Sequence, residues 1–89
     1  MSGSFNPKML AHDIAKGLVY LNPSRLKKYR PEDLKAILNQ LSIVQREVRA
    51  RQIPPDQLTE MKEKNRQLQH INQAITIING YVKKHHIRI

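Results

Sequence analysis

The chain has 89 residues, no cysteine and a net charge of +9, with 16 Lys and Arg against 7 Asp and Glu. That length fits one domain, and the lack of cysteine excludes disulfides and thiolate metal sites and favours a cytoplasmic setting. No apolar run approaches the roughly 20 residues of a membrane span, and Met1-Ser2-Gly3-Ser4 lacks the apolar core of a secretory signal.

Residues 1–6 read as a flexible tail ahead of a single helical domain, residues 7–89. One local pattern then occurs four times: an apolar residue, any residue, proline, two residues, leucine. The instances are Phe5-Asn6-Pro7…Leu10, Leu21-Asn22-Pro23…Leu26, Tyr29-Arg30-Pro31…Leu34 and Ile53-Pro54-Pro55…Leu58. Proline loses nothing at the first helical position, whose N–H has no partner there. The apolar residue ahead of the cap can fold back on the one at the fourth position. Asn6 and Asn22 are good caps, whereas Arg30 and Pro54 are poor ones. Glu32, Asp33 and Asp56 fall where the helix dipole favours carboxylates.

Four helices are therefore predicted. The first spans about Pro7 to Leu21, with Leu10, Ile14, Leu18 and Leu21 on one face. Gly17 within it either permits a close crossing or weakens the helix. The second is short, Pro23 to Tyr29. The third, Pro31 to Gln52, carries Leu34, Ile37, Leu41, Val44 and Val48 at helical spacing. The fourth, Pro55 to His85, carries Met61, Asn65, Leu68, Ile71, Ile75, Ile78 and Val82. Gly80 is a candidate early stop for it, although Tyr81 and Val82 fit its period. Two consecutive prolines cannot sit inside a helix, so the chain turns at Pro54. The expected fold is all-α: an antiparallel hairpin of two long helices, with Val48 opposite Met61, Leu41 opposite Leu68 and Leu34 opposite Ile75. The apolar face of the last helix broadens toward Ala74, Ile78 and Tyr81, which calls for a second partner. The N-terminal helices, packed on the open end of the hairpin, supply it.

A basic excess of this size points to an anionic partner: nucleic acid, an acidic protein or a membrane surface. Arg25, Lys27, Lys28 and Arg30 form one basic run, and Lys83, Lys84 and Arg88 form another beside His85 and His86. The hairpin register would bring the two runs to one end, an anion-binding surface to which Tyr29 would add a stacking face. Ordinary solvated charge is the competing reading. At the opposite end Arg46, Arg49 and Arg51 are partly offset by Glu47, Glu60 and Glu63.

Signals for chemistry are weak. His12 and Asp13 are neighbours in sequence and point apart on a helix. His85-His86 has no third ligand at metal spacing. No glycine-rich phosphate loop, nucleophile motif or carboxylate pair occurs, so no catalytic residue, metal or cofactor is assigned and an enzyme is not expected. Asn65, expected opposite Val44 and Gln45, and Asn72 either fix the register of the seam or lie at its wet edge. Ile43 and Ile77 fall off the main stripes; with Ala36 they would form a protein interface or pair two copies as a four-helix bundle, a homodimer. The functional expectation is a small non-enzymatic interaction protein, an adaptor, regulator or assembly subunit that docks on a larger acidic partner. The alternative is a nucleic-acid binder using the basic cluster for phosphate contacts.

Overall fold

The computed structural model describes residues 5–89. Asn6 and Asn22 stand in extended backbone, and their side-chain oxygens accept the N–H groups of Met9 and Arg25 at 3.1 and 2.9 Å. A proline follows each cap. These signals open α1 (Pro7–Lys16) and α2 (Pro23–Leu26). At the start of α3 (Pro31–Ala50) the Asp33 carboxylate accepts the Arg30 N–H at 3.1 Å, in place of a side-chain cap from Arg30. The last helix, α4, spans Leu58–Lys84. At 27 residues it is about 40 Å long.

Three boundaries differ from expectation by three residues or more. The helix α1 stops at Lys16, well short of Leu21, because Gly17 takes a left-handed φ of +82°. The N–H groups of Gly17 and Leu18 then donate to the carbonyls of Ile14 and Asp13 at 3.0 and 2.9 Å, which closes the helix end. The second difference lies at Pro54-Pro55-Asp56, which forms a turn with Gln57 N–H donating to the Pro54 carbonyl at 3.0 Å. Pro54 offers no side-chain acceptor, and a residue before proline is held out of the helical region, so α4 waits until Leu58. Third, α2 ends at Leu26 and not at Tyr29, with Lys27 and Lys28 in the turn that follows. Gly80 does not interrupt α4. That helix closes with His86 at φ +55°, where Ile87 N–H donates to the Val82 carbonyl at 2.8 Å and His86 N–H to that of Lys83 at 3.3 Å. This six-to-one and five-to-two pairing is the motif that glycine usually completes.

The described residues are all helix, turn or irregular chain, and the helices pack as a bundle. The helix α1 lies against both α3 and α4, α3 against α4, and α2 against α4. All five stripe residues of α3 (Leu34, Ile37, Leu41, Val44, Val48) are buried. On α4 the buried set is Ile71, Ala74 and Ile78; Leu68, Ile75 and Val82 are half-buried, and Asn65 and Met61 are exposed. Its stripe is rotated because α4 serves three neighbours, α1, α2 and α3, and its inward line falls among them. From α1 come Ala11, Ile14 and Ala15; from the following segment Leu21; from α2 Leu26. Each fully buried Leu or Ile contributes on the order of 2 kcal/mol. No polar or charged side chain is buried among the described residues.

The N-terminal cover also differs from its expected place. The helix α1 reaches the middle of α4, where the Ala15 carbonyl lies 3.1 Å from His70 Nδ1. Gly17 makes that approach possible: a Cβ there would stand 2.9 Å from His70 Cε1. Of the expected tail, residues 1–4 lie outside the described residues. Phe5 and Asn6 are tied down, Phe5 by the Tyr29 ring at a centroid distance of 5.3 Å and Asn6 by its cap. The amide pair that crosses from α3 to α4 joins Gln45 to Asn72, about two helical turns beyond the expected register. Asn65, expected beside Gln45, stands exposed.

Candidate anion-binding surface

The first basic run is held by the Asn22 cap and by Leu26, which is fully buried and seats α2 on α4. Around that anchor Arg25, Lys27, Lys28 and Arg30 are all exposed. The second run sits on the last turn of α4 and the segment after it. Lys83 and Lys84 complement the negative end of the helix dipole. Ile87 packs against the core and returns its N–H to Val82, which fixes the segment that carries Arg88. Lys83, Lys84 and Arg88 are likewise exposed.

The two runs therefore occur on elements that touch. Neither segment contains an acid: Pro23 to Pro31 and Gly80 to Ile89 hold no Asp or Glu. Among the described residues the one ion pair is Arg66 with Glu63, at 3.4 Å. Lys64, toward the other end, donates to the Arg51 carbonyl at 2.8 Å.

Tyr29 is half-buried and already occupied. Phe5 packs on its ring, and the Lys28 ammonium lies 5.5 Å from its centroid. The tyrosine thus holds the chain ahead of α1 against the α2–α3 junction and props Lys28 outward. His85 packs on Tyr81 with centroids 4.4 Å apart. Among the described residues no three His, Asp or Glu side chains converge as a metal site would require. No helix among the described residues is long and apolar enough to cross a membrane.

Of the proposed interface residues, Ile43 is 43% exposed. Ile77 is half-buried and lines a groove with Val19, Tyr20 and Leu21, beside the strap that follows α1. Sequence reasoning did not single out His70. Its ring stands nearly perpendicular to that of Tyr20, with centroids 5.9 Å apart, and pins α1 to α4. The available signal is Gly17, which in the sequence marks either a close crossing or a weak point in the helix and names no partner. Compared with known protein families, curated proteins and solved structures, the chain matches none.

Proposed function

We propose that this protein is a non-enzymatic docking module that binds a larger acidic partner through the cations of α2, the α2–α3 junction and the α4 C-terminus. The observation that carries the reading is the state of those cations. Seven of them, Arg25, Lys27, Lys28, Arg30, Lys83, Lys84 and Arg88, are exposed, without ion pairs among the described residues, on elements that pack together. The scaffold in this reading is an antiparallel hairpin of α3 and α4. The bonds Gln45–Asn72 and Arg51–Lys64 support it, since position rises along α3 as it falls along α4. An acidic polypeptide suits such a surface because its carboxylates supply the charge that the module lacks. Phosphates of a nucleic acid are the second reading, favoured by the density of lysine and arginine. It loses support at Tyr29, whose ring is already packed.

Binding of fluorescent polyglutamate and of single-stranded and duplex oligonucleotides, followed by anisotropy across a salt series, tests both. The expected result is saturable polyglutamate binding. It disappears when Lys27, Lys28, Lys83 and Lys84 are changed to Glu, while far-UV circular dichroism is unchanged. Preference for an oligonucleotide, with a salt slope of about 0.9 per phosphate contacted, moves the assignment to nucleic acid. Binding to neither probe at low salt refutes the cationic surface as a docking site.

A further inference from the structure

In a chain with a net charge of +9, Gln67 to Val82 of α4 contains no Asp, Glu, Lys or Arg, and neither does Ala36 to Gln45 of α3. On α4 this is not explained by burial. Gln69, Asn72, Gln73 and Thr76 are exposed, flanked by half-buried Leu68 and Ile77, and together they line an open groove. At about 100° per residue Gln69, Asn72, Gln73 and Thr76 fall on the half of the helix turned away from Ile71, Ala74 and Ile78, with Leu68 and Ile77 at its two edges. The neighbours reach only its borders: Gln45 of α3 donates to Asn72, the segment after α1 borders Ile77, and Leu68 and Ile77 lean on the core.

We propose that a second copy of this chain docks here, α4 against α4 in antiparallel sense, about a twofold axis that passes between Asn72 and Gln73. Two observations single out that occupant. The first is charge. An acidic partner gains nothing on a face without cations, whereas a second copy, equally basic, can approach closely only where its charge is absent. The second is self-complementarity, which a twofold interface requires because the same patch serves both sides. The face reads the same in both directions: apolar Leu68, polar Gln69, polar Asn72, then polar Gln73, polar Thr76, apolar Ile77. The proposed axis sets Leu68 of each copy on Ile77 of the other, Gln69 on Thr76, and Asn72 on Gln73. Amides and hydroxyls both donate and accept, so like can pair with like across the axis; ammonium groups cannot. Asn72 already shows this pairing within the chain, through its bond with Gln45.

The same register carries a signature at its ends. It turns Lys62 of one copy toward Lys83 of the other, both exposed. Salt screens that repulsion, so the dimer tightens as ionic strength rises, opposite to binding at the cationic surface. Sedimentation equilibrium of the full chain, at low and high ionic strength, is the test. The expected result is a monomer–dimer equilibrium that shifts toward dimer with salt. Gln69→Lys or Thr76→Lys weakens it by roughly tenfold or more, by placing cations in the neutral seam. Gln69→Glu combined with Thr76→Lys restores it, because each Glu then faces the other copy's Lys, and its salt dependence falls. Helicity, measured on each variant, distinguishes loss of contact from loss of fold. A monomer at every concentration and salt overturns the proposal. So does a dimer that ignores both single lysine substitutions, since its interface then lies elsewhere.

Discussion

Replacing Gly17 by alanine probes the contact between α1 and α4 most directly. At φ +82° an L-residue costs roughly 1 kcal/mol in backbone strain. The added Cβ would also stand 2.9 Å from His70 Cε1. That ring is not free to swing, since the Ala15 carbonyl holds Nδ1 at 3.1 Å and Tyr20 packs against it. Moving it sacrifices a hydrogen bond of about 1 kcal/mol. The gain from a stiffer unfolded chain returns about 0.5 kcal/mol. The net expectation is a loss of about 1.5 kcal/mol, or a Tm lower by about 6–12 °C for a domain of this size. Thermal and urea unfolding followed by far-UV circular dichroism measures it. In a His70→Ala background the clash disappears and only strain remains, so the same substitution costs about 1 kcal/mol less. An equal cost in both backgrounds, or a cost below about 0.5 kcal/mol in the parent, refutes the close-approach argument.

At the other end of α4, His86→Gly relieves a left-handed φ of +55° and is expected to raise stability by about 0.5–1 kcal/mol in urea titration. Leu26→Ala removes the single buried side chain of α2 and is expected to cost about 2–5 kcal/mol. Hydrogen exchange should show amides of residues 23–29 losing protection before those of α3. Asn6→Ala and Asn22→Ala each remove one cap hydrogen bond and are expected to cost about 1 kcal/mol, read as additive Tm shifts in the double variant.

The parts of the fold legible in the sequence are those decided by local chemistry. Asn-Pro at residues 6–7 and 22–23 fixed two helix starts, and the spacing of Leu34, Ile37, Leu41, Val44 and Val48 fixed the inward face of α3. What escaped depended on partners. The end of α1 was hidden because Leu18 and Leu21 continue the apolar period past Gly17, yet Leu18 is left 71% exposed once the chain leaves the helix. The seam was displaced because α4 begins at Leu58 and extends past its cover; Leu58 and Met61, 64% and 39% exposed, are the overhang. In the candidate surface, exposure of the lysines and arginines was readable from their type. That Tyr29 packs on Phe5 was not, since the local pattern offers Phe5 only the tail or a fold back on Leu10.

The interior is built from Leu, Ile, Val and Ala, without an aromatic or polar anchor among the described residues. Interiors of this kind ask for volume and greasiness more than for any particular side chain, and they accept many joint exchanges among aliphatics. Such a chain can wander far through sequence space while its helices stay where they are. Lineages that keep this shape would then be easier to trace by the placement of Asn-Pro starts and a lone Gly17 than by the letters of the core.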